Sequence, residues 1–158
     1  MNFSAVILAG GKSSRMGRDK AWLEVGGQTL LARQIGVMRE LGAAEIFISG
    51  RADADYSAFG CRVLPDKLPD AGPLAGIERA LDAAQAPLLL VLAVDLPEMS
   101  AELLRRLAAD CSENLGSIPP NTSYLVAVIG NKKYEARLFA DEHSSALIRF
   151  VRDVKREP

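Results

Sequence analysis

Hydrophobic residues in this chain come in short blocks with two different spacings. Residues 3–9, FSAVILA, are nearly all apolar, include the β-branched pair Val6 and Ile7, and stop at Gly10 and Gly11. So short a run with no polar face predicts a strand covered on both sides, as in the interior of a parallel sheet. WLEVGGQ predicts a short strand turning at Gly26 and Gly27. In TLLARQIGVMREL the spacing changes. Leu31, Ile35, Met38 and Leu41 fall on one helical stripe, with Thr29 placed to cap its start and Gly42 to end it. EIFIS and CRVL return to short apolar strands. Pro73 stands at a first helical position, and Leu74, Ile77 and Leu81 continue it at i, i+3, i+7. PLLLVLAVD, residues 87–95, is the most apolar run and predicts a central strand; Ser100 then caps a helix through Leu107.

This alternation predicts βαβ units, and hence an α/β fold with one doubly wound, mostly parallel sheet and helices on both faces. Beyond Asp110 the pattern weakens. SYLVAVIG and KKYEARLF predict two strands around Gly130 and Asn131. SALIRFVRDV, with Leu147, Phe150, Val151 and Val154, predicts a helix face. No stretch reads as a linker, a repeat or a low-complexity tract, so residues 1–158 form a single expected domain.

Composition narrows the function classes. With 49% hydrophobic and 25% charged residues, the chain resembles an ordinary soluble domain. A net charge of −1 gives no footprint for nucleic acid or an anionic membrane surface. No apolar run approaches the roughly 20 residues that span a bilayer. MNFSAVILAGG lacks the basic start and the length of an export signal, so the expected location is cytoplasmic. Cys61 and Cys111 have no metal-ligand spacing and read as small apolar residues in a reducing compartment. His143, the sole histidine, lies in the weakly patterned region and reads as a surface residue.

The densest chemistry is LAGGKSSRMGRDK, residues 8–20. In a doubly wound sheet ligands bind beyond the C-terminal ends of the strands, and this loop leaves such an end. Its glycines let the backbone approach a ligand closely. Lys12, Arg15, Arg18 and Lys20 bring positive charge, and Ser13 and Ser14 bring hydroxyl donors. That mixture suits a triphosphate or pyrophosphate. It is not a P-loop: Gly11-Lys12-Ser13 has the right ending, but the partner glycine would have to be residue 6, which is Val6. Nor does GGKSSRMG supply G-x-G-x-x-G.

The loop does resemble the signature L-A-G-G-x-S-x-R-M-G-x-D-K of the molybdenum cofactor guanylyltransferases, in the MobA-like nucleotidyltransferase family. Leu8, Ala9, Gly10, Gly11, Ser13, Arg15, Met16, Gly17, Asp19 and Lys20 carry the match. LPDKLPDAGPLAGI is similar to the family's second loop, with Asp66 and the Gly72–Gly76 run, and LAVDLPEMS to its strand-end acid, Asp95. The likeness covers about residues 3–107. It implies a Rossmann-like nucleotidyltransferase fold, with residues 1–110 binding nucleotide and 111–158 forming a shorter acceptor side. The N-[IV]-N-T-P segment that usually ends the family has no counterpart; NTSYL at Asn121 is early and lacks the proline.

The resemblance implies transfer of GMP from GTP to the phosphate of molybdopterin, with release of pyrophosphate. The product would pass to molybdoenzymes or their chaperones. An ionised phosphate nucleophile needs no catalytic base, only charge neutralisation and alignment. Arg15 and Lys20 are the expected phosphate ligands and Asp95 the expected Mg²⁺ ligand. Asp95 follows an apolar run, where burial would make an unpaired carboxylate costly and a cation would relieve that cost. Lys12 and Arg18 occupy variable positions and are expected to be solvated, and Asp19 to orient its cationic neighbours. Leu8, Ala9, Gly10, Gly11, Ser13, Ser49, Asp66, Gly72 and Pro73 complete the implied nucleotide site. Ser49 stands where the family often has asparagine. GPLAG and LAGG favour GTP over the CTP of the related cytidylyl branch. The competing readings are a cytidylyltransferase or other small-phosphate nucleotidyltransferase of the same fold, and a nucleotide-binding protein without catalysis.

Overall fold

β1 (Phe3–Leu8) is buried along its whole length. Its two neighbours explain why: it pairs in parallel with β4 (Glu45–Gly50) on one side and β6 (Leu88–Ala93) on the other. The computed structural model describes residues 2–10, 19–65, 72–109, 126–130, 134–140 and 146–152. Among these, β5 (Arg62–Pro65) and β7 (Val126–Gly130) extend the sheet to the order β5-β4-β1-β6-β7. The first four strands run parallel, and β7 lies antiparallel at the edge.

The period-two alternation of β1 divides the core. Phe3, Ala5 and Ile7 face α1 (Leu30–Glu40) and α3 (Ala101–Ala109), packing with Leu31, Ile35, Met38 and Leu104. Val6 and Leu8 face the opposite way and pack with Phe47, Leu64, Leu89, Val91 and with Ile77 and Ala80 of α2 (Pro73–Ala83). Helices therefore cover both faces, as the sequence predicts. Thr29 caps α1 by accepting from the Ala32 amide at 3.2 Å, and Ser100 caps α3 by accepting from Leu103 at 3.3 Å. The WLEVGGQ segment forms a two-stranded ribbon, β2 (Glu24–Val25) and β3 (Gln28–Thr29), around Gly26 and Gly27.

One C-terminal feature differs from expectation. The segment expected to be helical is instead β9 (Ala146–Arg152), antiparallel to β8 (Tyr134–Ala140). ALIRFVR is a short apolar run rich in Ile, Phe and Val, and its periodicity alone cannot separate strand from helix. A pairing partner in β8 decides it. The two strands expected from SYLVAVIG and KKYEARLF are β7, which ends at Gly130 and pairs with β6, and β8, which pairs with β9; Asn131 lies outside the described residues.

Candidate active site

The strand order reverses direction beside β1. The chain moves outward from β1 to β4 and β5, then crosses back to place β6 on the other side of β1. The crevice beyond the C-terminal ends of β1 and β6 is thus the topological switch point, where open α/β sheets bind ligands. The chain leaves β1 under firm constraint. Ala9 and Gly10 both donate their N–H groups to the Ser49 carbonyl, at 2.7 and 2.9 Å, and the Leu8 carbonyl accepts from Val94 at 3.1 Å.

Across this crevice Lys20 Nζ donates to Asp95 Oδ2 at 2.7 Å. The two residues lie 75 positions apart in the chain, so the fold joins two motifs that the sequence presents separately. Lys20 opens a three-residue 3-10 turn, Lys20–Trp22. Asp19 caps that turn, its Oδ1 accepting from the Ala21 amide at 3.0 Å. The expected role of Asp19, orienting its cationic neighbour, takes this form: it fixes the backbone from which Lys20 reaches.

Asp95 departs from expectation in its surroundings. Its side chain is 42% exposed, close to the 44% of Lys20, rather than buried at the end of an apolar strand. β6 ends at Ala93, and the turn through Val94 and Asp95 lifts the carboxylate out of the sheet. The cation beside it is Lys20, and exposed pairs of this kind contribute about 0–1 kcal/mol to stability.

What holds Asp95 in place is mostly backbone. Val94, before it, is tied to Leu8. After it, the Leu96 carbonyl accepts from Met99 at 3.1 Å and from the side-chain amide of Gln34, a fully buried residue of α1. Sequence reasoning missed Gln34. Its signal was a polar residue one position before Ile35, inside the apolar stripe of α1.

On the α2 side, Ser49 is buried at 3% exposure and lies under Gly76. A Cβ at Gly76 would overlap Ser49 Oγ and stand 2.9 Å from Ser49 Cβ and 3.1 Å from Leu8 Cδ2. Gly76→Ala should therefore destabilise. Overpacking of about 1–3 kcal/mol outweighs the gain of about 1 kcal/mol in helix propensity. Removing the obstacle with Ser49→Gly should make the double variant melt higher than Gly76→Ala alone. An unchanged melting temperature in Gly76→Ala would show that α2 can move away from β4 freely. At the head of α2, Gly72 has φ 67° and ψ −165°, a region that essentially only glycine occupies, and Pro73 follows at the first helical position.

Lys12, Ser13, Arg15, Arg18, Gly11 and Asp66 lie outside the described residues. Among the described residues no three His, Cys, Asp or Glu side chains converge on a metal position. The carboxylate of Asp95, partly open to solvent, has the chemistry for Mg²⁺, which binds through one or two carboxylates and keeps waters and phosphate oxygens as its other ligands. No helix among the described residues is long and apolar enough to cross a membrane.

A family model for the MobA-like NTP transferase domain matches residues 5–154. The chain belongs to that family. The probable molybdenum cofactor guanylyltransferase of Opitutus terrae is 42% identical over 118 residues, 73% of this chain and 58% of that protein. The molybdenum cofactor guanylyltransferase of Rhodobacter capsulatus is 34% identical over 153 residues, 92% of this chain and 80% of that protein. The chain spans about half the length of several curated relatives it matches, such as 49% of the Pelotomaculum thermopropionicum protein. Among solved structures, a nucleotidyl transferase from Methanothermobacter superposes with a TM-score of 0.73 at 23% identity, over 82% of this chain and 71% of that one. The 2-C-methyl-D-erythritol 4-phosphate cytidylyltransferase of Thermus thermophilus gives 0.58 at 31% identity, over 77% and 57%. Lys20, from the loop that follows β1, and Asp95, from the turn that follows β6, meet at that switch point.

Proposed function

We propose that the chain transfers GMP from GTP to the terminal phosphate of molybdopterin. An oxygen of the acceptor phosphate attacks the α-phosphorus, the bond from that phosphorus to the bridging oxygen of the β-phosphate breaks, and pyrophosphate leaves. The observation that carries this reading is the Lys20–Asp95 pair at the switch point, because it joins a cation for the departing phosphates to an acid at one place. Relatives of this chain with 34–46% identity bear the guanylyltransferase name, which favours it over cytidylyl transfer.

The residues divide the work. Lys20, with Arg15 from the signature loop, neutralises the β- and γ-phosphates and the pyrophosphate they become. Ala9 and Gly10, whose N–H groups are held by Ser49, offer guanine their carbonyls, and guanine N1–H and N2–H₂ are donors that suit carbonyl acceptors. Asp66 accepts from the base or the ribose. Gly72 and Pro73 bring the head of α2 close to the nucleotide, and Gly11 and Ser13 line the phosphates. Asp95 would hold Mg²⁺, which when bound supplies further positive charge to the triphosphate. The finished dinucleotide cofactor would pass to molybdoenzymes or their chaperones, in a cytoplasmic setting.

Nucleotide choice is tested by thermal protection. A ligand stabilises by RT ln(1 + [L]/Kd), so GTP should raise the melting temperature more than ATP, CTP or UTP at equal concentration. In a chain of this size each kcal/mol is worth about 2–4 °C. Equal shifts from all four would mean that only the triphosphate is read, and a larger shift with CTP would place the chain with the cytidylyltransferases.

A further inference from the structure

Gln34 breaks the apolar pattern of α1. None of its surface is exposed, and the helix's other buried residues are Leu30, Leu31, Ile35 and Met38. Its Nε2 donates to the Leu96 carbonyl, 62 positions on. Its Oε1 is buried as well and has no hydrogen-bond partner among the described residues. A buried polar atom without a partner destabilises the fold, and a methionine of similar size would carry no such atom. Packing alone therefore gives no reason for a glutamine at this position.

We propose that Gln34 is a positioning residue for guanylyl transfer. It braces the Asp95 turn against the helix that also anchors the Lys20 turn, and so fixes the gap between the two charges. This role rests on the guanylyl-transfer reading and adds a residue that acts through Asp95.

The common anchor is α1. At its first residue the Leu30 amide donates to the Leu23 carbonyl at 2.8 Å, tying the helix to the residue that follows the Lys20–Trp22 turn. That turn is pinned twice more. Ala21 is fully buried, and the indole of Trp22 stacks on buried Tyr56, with ring centroids 5.9 Å apart and planes 13° from parallel. Four residues after Leu30, on the same face of the helix, Gln34 holds Leu96, the neighbour of Asp95. One helical turn thus carries the supports of both charged residues.

The Lys20–Asp95 contact cannot set the spacing by itself. Both side chains are more than two-fifths exposed, and ion pairs of that kind are weak. In the proposed reaction both partners turn to the bound nucleotide, so the backbone beneath them has to keep the geometry. Before Asp95, the Val94 amide is fixed to the Leu8 carbonyl at 3.1 Å. After it, the Leu96 carbonyl accepts from Met99 at 3.1 Å and from Gln34. Met99 belongs to the same turn and moves with it, whereas Gln34 belongs to another element. Misplacement of a reacting group by about 1 Å can cost about 10²-fold in rate.

Gln34→Met keeps the length of the side chain and removes both amide atoms. Its melting temperature should hold, since an unpaired atom leaves the core and the Leu96 carbonyl keeps Met99. The kcat for guanylyl transfer should fall about 10–100-fold, while the KM for GTP stays within about twofold. Gln34→Leu serves as the second apolar variant if methionine packs poorly. A double-mutant cycle with Asp95→Asn separates positioning from packing: the double variant should transfer no more slowly than Asp95→Asn alone. Hydrogen exchange on the ligand-free protein reads the brace without catalysis. The Val94 and Met99 amides should exchange about tenfold faster in Gln34→Met, with those of β1 unchanged. A normal kcat in Gln34→Met, or losses that multiply in the double variant, overturns the brace and leaves guanylyl transfer standing. Wild-type protein that transfers nothing overturns the transfer reading. Exchange then decides the brace, which faster Val94 and Met99 amides support and unchanged ones overturn.

Discussion

Asp95→Asn is expected to abolish most Mg²⁺-dependent transfer while leaving the fold intact. Asparagine keeps the shape and loses the charge. Removing charge stabilisation centred on the transition state commonly costs about 10²–10³-fold in rate. The stability cost should be slight, because the pair with Lys20 is partly exposed and worth at most about 1 kcal/mol. The turn itself is held by Val94, Leu96 and Gln34, none of which the substitution touches. GTP binding should survive within a few-fold, since Lys20 remains and is released from its partner. The paired measurement is melting temperature and guanylylation on one preparation. A stable variant with near-normal turnover would remove Asp95 from the mechanism.

Lys20→Ala should strike substrate binding as well as turnover. A hydrogen bond to a charged group is worth about 1.5–3 kcal/mol, so GTP should bind roughly 10–100-fold more weakly. Transfer should fall further, because the β- and γ-phosphates gain negative charge as the bond to the α-phosphorus breaks. The melting temperature of the ligand-free protein should hardly change, for the reason given for Asp95. Isothermal titration with GTP checks the first effect and single-turnover transfer the second. Lys12→Ala should do far less, and an equal defect there would mean that the loop's cations share the phosphates differently. Unchanged GTP affinity in Lys20→Ala would take Lys20 out of the nucleotide site.

Much of this was legible in the sequence because the signals were local. The apolar run of β1, the caps Thr29 and Ser100, and Pro73 at the head of α2 each act within a few residues, and each stands where the sequence placed it. The signature loop and the strand-end acid were readable as motifs, and their meeting followed from the rule that α/β ligand sites form at strand ends. The misreadings were of another kind. Asp95 was expected to be buried because an apolar run precedes it, but a two-residue turn suffices to bring a side chain out to water. The helix expected over SALIRFVRDV lost to a strand because pairing with β8, a non-local event, outweighs a local stripe. Gln34, Trp22 and the Ser49–Gly76 contact escaped notice because their roles depend on partners 34, 62 or 27 positions away (Trp22–Tyr56, Gln34–Leu96, Ser49–Gly76). No spacing rule reaches that far.

The central claim, that Lys20 and Asp95 mark a centre of guanylyl transfer to a pterin phosphate, meets its most direct test in pyrophosphate release. The protein is incubated with Mg²⁺ and each of GTP, CTP, ATP and UTP in turn, with and without molybdopterin. The account predicts release from GTP that depends on molybdopterin, with the guanine dinucleotide form of the cofactor appearing in equal amount. GTP bound but never cleaved when molybdopterin is present, or release from CTP in preference to GTP, would contradict it.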